Sequence, residues 1–215
     1  MQGTGLIQEI IIWALPILFA VTVHEAAHGY VANIFGDKTA LLLGRLTLNP
    51  LKHIDIIGTI VVPLASLAFG GFVFGWAKPV PVTWSRLGNP RRDMALVALA
   101  GPFANLLMAL IWAAIAKIAL IFKGSFDAGL IIKMGEAGIT INLILMLLNL
   151  LPIPPLDGSR LVSSILPSKL AIFYDKIEPF GLVILIILII TKILSQVLEP
   201  PFIWLQQLIS NIFGL

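Results

Sequence analysis

His24-Glu25-Ala26-Ala27-His28 places two imidazoles four residues apart, with a carboxylate directly after the first. In an α-helix, residues i and i+4 share a face about one turn apart. His24 and His28 on such a face can offer two nitrogen ligands to one Zn²⁺, and Glu25 lies close enough to act on a water as general base. The motif sits inside residues 10–35, which carry no other charge. As a helix that stretch is about 39 Å long, more than the ~30 Å of bilayer hydrocarbon, and His24 lies roughly 21 Å from its start. Two imidazoles and a carboxylate at that depth are costly in lipid, so they are expected to face a cavity or a partner. The bland alternative is a coincidental pattern on a helix end satisfied by water.

A catalytic zinc site usually has three protein ligands and one open position. The third must come from elsewhere, and the candidates are Asp157, Asp55, His53 and Glu178. Asp157 is the strongest. It follows Asn149 in Asn-Leu-Leu-Pro-Ile-Pro-Pro-Leu-Asp-Gly, where Pro152, Pro154 and Pro155 end any regular helix and free backbone groups that need a polar partner. Gly158 permits close approach. Asp157 also suits a second, compatible role as N-cap of the following helix.

The elements that must position these residues are set by composition. Of 215 residues, 59% are hydrophobic and 12% charged, and mean hydropathy is +1.02. Soluble domains run about 25% charged, so the chain is neither a soluble globule nor disordered and is expected to lie in a membrane. It has no cysteine, hence no disulfide framework or thiolate ligand. The net charge of +3 points to topology rather than to nucleic acid. The first residues lack a basic n-region, and the N-terminus reads as part of the mature chain.

Five apolar stretches stand out: residues 10–35, 56–77, 95–116, 137–156 and 180–198, the last interrupted only by Lys192. The second is broken by Gly58, Pro63, Gly70, Gly71 and Gly75. Reading it as re-entrant puts the basic loops 36–55, 78–93 and 157–178 on one face, as the positive-inside bias requires. It also leaves one crossing between His28 and Asp157, which brings the two ends to the same side. Residues 41–50 and 73–82 read as a possible small β-hairpin, and residues 201–215 as a surface amphipathic piece. The expected fold is an all-α polytopic membrane protein: about four transmembrane helices, a re-entrant segment and a possible small hairpin near the site. It forms a single domain over residues 1–215, with its core at 10–165 and C-terminal helices at 179–215.

HEAAH at 24–28, AGPFAN at 100–105 and NLLPIPPLDG at 149–158 resemble the site-2 protease family of intramembrane zinc metalloproteases. The resemblance implies zinc held by His24, His28 and Asp157, water activated by Glu25, and Asn149 holding the substrate or the oxyanion. It places Asn105 near the active site, with helix packing as its alternative role, and a helix–helix hydrogen bond is the alternative for Asn149. Segment 75–82 resembles the family's edge strand, so Trp76, Lys78 and Pro79 become candidate substrate-binding residues pairing by β-addition. A plain amphipathic loop with Trp76 as interface anchor is the other reading. Asn49 stands where short members often have the first His of His-Pro-x-x-His-Ile-Asp, which weakens a second metal site. Neither a PDZ nor a CBS domain is expected within these residues, nor the helix that precedes HExxH in other members. The implied activity is zinc-dependent endoproteolysis of transmembrane segments, in regulated intramembrane proteolysis or clearance of signal-peptide remnants. The implied setting is a cell membrane, with the site toward the cytoplasm; partners are a transmembrane substrate and lipid, without nucleic acid. Rival readings are a metal transporter using the same cluster as a transit site and a catalytically silent membrane scaffold.

Overall fold

A computed structural model describes residues 2–61, 75, 77–122 and 128–215. Among these residues the chain is helical and no strand occurs. Three helices are long and apolar enough to cross a membrane: α1 (Gln2–Ile34), α3 (Pro90–Ile121) and α4 (Ala128–Asn149). The short helix α2 (Thr39–Leu42) follows α1. After α4 come α5 (Asp157–Ile165), α6 (Ser168–Asp175), α7 (Gly181–Ile190) and α8 (Ile193–Phe213). Ser168–Ile190 and Ile193–Phe213 are bent by 78° at the break between them, so together they make at most a fourth, broken span. The protein is an all-α, multi-pass membrane protein.

The three long helices come together through small residues. On α1, Ile12, Pro16, Ala20, His24, His28 and Ala32 repeat every four residues and are all buried. Facing them on α3, Val97, Gly101, Asn105, Ala109 and Ala113 follow the same spacing. In lipid, where the surroundings are as apolar as leucine, such stripes allow backbones to approach closely and pack. The α3–α4 crossing is tighter still: a Cβ on Gly138 would lie 2.2 Å from the Trp112 ring, and one on Gly135 2.6 Å from the Ala116 methyl. Trp112, Ala109, Ala113, Ile139, Leu143, Met146 and Ile209 form the main core. Large apolar side chains such as Ile10, Phe103, Ile111 and Ile118 point outward, as they should where the solvent is lipid.

Local sequence explains the helix ends. Asn89 caps α3 by accepting from Arg92 N–H, Pro90 follows at the first helical position, and Asp93 returns an acceptor to Asn89 N–H at 2.6 Å. Pro152, Pro154 and Pro155 end α4 and turn the chain into α5. Because α1, α3 and α4 alternate in direction, the end of α1, the start of α3 and the junction of α4 with α5 share one end of the bundle.

Several expectations are corrected. Residues 41–50 form no strand: Asp37 accepts from the N–H and hydroxyl of Thr39, which starts the helical turn of α2. Within 73–82, residues 77–82 belong to no strand, while 73, 74 and Trp76 lie outside the described residues. The re-entrant segment at 56–77 falls mostly outside them too; its start, Ile56–Val61, is a widened helical turn. Residues 117–136, between the third and fourth apolar stretches, belong largely to helices, with Lys117 inside α3 and Lys133 and Glu136 inside α4. The stretch 180–198 is broken at Lys192, whose φ is +60°. Residues 201–215 do not lie apart on the surface: Phe202, Leu205, Ile209 and Phe213 of α8 pack into the main core.

Candidate metal centre

His24 and His28, one turn apart on α1, turn their Nε2 atoms toward each other at 3.1 Å. Asp157, the first residue of α5, brings its Oδ2 to 3.2 Å from His24 Nε2 and 3.3 Å from His28 Nε2. These residues are the one group of three or more potential ligands that the described residues bring together. Asp157 is not the N-cap of α5, a position taken by Leu156, so its carboxylate is left to face the histidines.

The protonation pattern follows from the other ring nitrogens. His28 Nδ1 lies 2.7 Å from the carbonyl oxygen of Val97, which can only accept, so Nδ1 carries the proton. His24 Nδ1 lies 2.6 Å from Asn105 Oδ1, and Asn105 is oriented by its own amide N–H groups, which donate to Ala20 O and Asn142 Oδ1. In the neutral rings both Nε2 atoms are therefore bare lone pairs. Asp157 Oδ2 is buried and makes no hydrogen bond. With both rings neutral and Asp157 ionised, three acceptors converge on one point, and such a set calls for a cation.

The triangle also has the right size. Tetrahedral zinc with ligand bonds of about 2.0–2.1 Å separates its ligands by about 3.3 Å. The three edges here, 3.1, 3.2 and 3.3 Å, match that spacing. Gly101 of α3 lies against the histidines: a Cβ there would come within 2.4 Å of His28 Nε2 and 2.7 Å of His24 Nε2. The absent side chain leaves the space beside the two nitrogens clear.

The model of peptidase family M50 matches residues 12–123 and 117–191, most of the chain and all of the cluster. The chain belongs to peptidase family M50. It is a metalloprotease. The M50 relatives include "Putative zinc metalloprotease YwhC" of Bacillus subtilis, 38% identical over 190 residues, covering 86% of this chain and 83% of that protein. "Putative zinc metalloprotease Rip2" of Mycolicibacterium smegmatis is 30% identical over 83% of this chain and 66% of its own length. Rip2 of Mycobacterium tuberculosis strain H37Rv is 30% identical over 89% and 71%. No solved structure gives a significant match.

In this M50 chain Glu25 is half-buried beside the cluster, and its Oε2 accepts the Val80 N–H at 2.7 Å. Val80 belongs to the strap 77–83, whose polar groups are largely engaged already. Lys78 N–H donates to His53 O at 2.9 Å and Thr83 N–H to Asp37 Oδ2 at 2.6 Å. Pro79 and Pro81 have no N–H. Arg45 donates to the carbonyls of Lys78 and Pro79 at 3.0 and 3.4 Å. From residue 78 to 81 every strap N–H is therefore either engaged or absent. Lys78 and Pro79 are exposed, and Trp76 lies outside the described residues.

Other expected site residues are placed as follows. Asn105 is fully buried, with its Oδ1 on His24 Nδ1. Asn149, in the last turn of α4, donates one amide N–H to Leu145 O at 3.0 Å. Among the alternative ligands, His53 is buried with Nε2 on Thr47 O, Asp55 accepts from Gly58 N–H, and Glu178 is paired with Arg160 at 2.8 Å. None of the three joins the cluster. Sequence reasoning missed Gly101, Asn142 and the Val80 amide.

Asp37 fastens the strap to the end of α1. Burial works against its charge, but the Thr39 hydroxyl, the Thr83 and Thr39 N–H groups and nearby Arg86 outweigh that and hold its carboxyl below the ordinary value of 3.8. A group with a depressed folded pKa stabilises above its unfolded pKa and ceases to as pH falls through the folded one. The clamp is therefore complete above about pH 4 and is lost on further acidification. Asp37→Asn should be less stable than wild type at neutral pH, with the gap closing in acid; thermal unfolding followed against pH checks this.

Proposed function

We propose that this chain is a zinc-dependent intramembrane endopeptidase, with His24, His28 and Asp157 as zinc ligands. The observation that carries the reading is the convergence of the two bare Nε2 atoms and Asp157 Oδ2 within a hydrophobic bundle. Zinc bound there supplies Lewis-acid polarisation of the scissile carbonyl and lowers the pKa of its water toward ~7. Glu25, held by the Val80 amide, takes the proton from the attacking water and hands it to the leaving amine. Asn149 has a second amide N–H available to donate to the developing oxyanion. The strap receives the substrate beside Val80, at the exposed Lys78 and Pro79.

The substrate is a transmembrane segment, locally unwound, because a helical amide is hidden by its own hydrogen bonds. The site opens toward the cytoplasm. Arg45, Lys78, Arg86, Arg91, Arg92 and Arg160 gather at the end of the bundle that carries the cluster, and that sign of charge stays on the cytoplasmic side. Regulated proteolysis and clearance of signal-peptide remnants both fit such a substrate.

The test is cleavage of a model single-span substrate in vesicles by the full chain. Expected results are a cut mapped by mass spectrometry inside the hydrophobic segment, loss of activity on chelation, and recovery with added zinc. Cleavage only in extramembrane loops, or activity indifferent to chelation, would overturn the reading.

A further inference from the structure

Asn142 lies on α4, fully buried, and touches neither the metal cluster nor any surface. Its amide nitrogen donates to Gly138 O at 2.8 Å, and its Oδ1 accepts from Asn105 at 2.9 Å. We propose that Asn142 is a positioning residue of the metal centre, which sets the protonated nitrogen of His24 through Asn105. The proposal rests on the reading of His24 as a zinc ligand.

The direction of every bond in this relay is fixed from one end. The Gly138 carbonyl can only accept, so the amide nitrogen of Asn142 faces it and its oxygen faces Asn105. That oxygen must receive a proton, so Asn105 presents its nitrogen, with Ala20 O as a second acceptor at 3.2 Å. Asn105 Oδ1 is left for His24 Nδ1, which must donate, and Nε2 remains bare toward the cluster. A flip at Asn142 would set oxygen against oxygen at Gly138 and nitrogen against nitrogen at Asn105. His28 reaches the same state by a shorter route, directly from Val97 O. Only His24 depends on side chains from two other helices. Groups behind a ligating histidine fix its orientation and basicity, and their loss typically costs about 10–100-fold in metal affinity. The anchor of the relay, Gly138, sits under the Trp112 ring at the tightest part of the α3–α4 crossing, so helix packing and metal affinity share one element.

The competing role is simple adhesion between helices, which buried membrane asparagines often provide. Adhesion predicts lost stability with an unchanged His24. The experiment compares the full-length wild type with Asn142→Leu, and with Asn142→Ala should the leucine not fold. The zinc dissociation constant is read by chelator competition. The chain has three histidines, so ¹⁵N-histidine labelling can follow the ring N–H signals of the zinc-loaded protein. Zinc affinity should fall about 10–100-fold. The protected His24 Nδ1–H signal should shift or exchange, while that of His28 stays in place. A folded variant with wild-type zinc affinity and an unchanged His24 signal would overturn the proposal. Wild type that binds no zinc would instead sink the ligand assignment on which the proposal stands.

Discussion

Glu25→Gln should retain its metal and lose about 10²–10⁴-fold in cleavage rate, the usual contribution of a positioned general base. The carboxamide matches the carboxylate in size and keeps an oxygen to accept the Val80 N–H that holds it at 2.7 Å. Glu25 is not among the three converging ligands, so the cluster of His24, His28 and Asp157 is untouched. What is lost is the one property that the amide cannot imitate, a basic oxygen that takes a proton and returns it. The measurement pairs zinc stoichiometry with the rate of cleavage of a single-span substrate. It separates the protease from its rivals: a transit site for metal ions needs no base, so a transporter would work unimpaired with glutamine. Wild-type cleavage by Glu25→Gln would remove the general-base role, and loss of zinc along with activity would show that Glu25 serves the metal rather than the water.

Much of the site was legible because it obeys helical spacing. Two histidines four residues apart must share a face, and a carboxylate behind three prolines must leave its helix, so His24, His28 and Asp157 could be paired before any coordinates. The parts that escaped carry no such signature. The Val80 amide is backbone; its hint lies in the flanking Pro79 and Pro81, which leave Val80 the sole N–H among the three. Asn142 stands in an apolar run where asparagine reads as adhesion, and its role appears only when donors and acceptors are followed in order across α4, α3 and α1. Helix boundaries misled for a different reason. Hydropathy sets the edge of a span at the first charge, yet α4 begins at Ala128 and carries Lys133 and Glu136 within it. These are exposed and line an open cleft of about 500 Å³ with Glu9, Thr140, Gln206 and Ser210, so the charges have polar company and access to water. The opposite error occurs at Lys192, where an apolar run interrupted by a single lysine hides a bend of 78°.

Gly101→Ala should produce a well-formed helix with a ruined metal centre. In a helix interior alanine is favoured over glycine by about 1 kcal/mol, so local propensity alone predicts a more stable α3. The new methyl, however, would lie 2.4 Å from His28 Nε2, 2.5 Å from His24 Cε1 and 2.7 Å from His24 Nε2. Ordinary contact between such atoms is about 3.5–4.0 Å, so one side must yield by about 1 Å. The rings cannot retreat on their own, because Asn105 Oδ1 and Val97 O hold their far nitrogens at 2.6 and 2.7 Å. Either those bonds break or α1 separates from α3, and both spread the triangle whose edges suit a zinc ion. A misplacement of about 1 Å costs on the order of 10²-fold in rate. The expected outcome is therefore retained helical content, zinc affinity weakened well beyond tenfold, and kcat/KM reduced by about 10²-fold or more. Chelator competition and the single-span cleavage assay measure the two losses together. An alanine variant that binds and cleaves like wild type would mean that α3 does not approach the histidines this closely, and with it would go the argument that Gly101 keeps the space beside both nitrogens open.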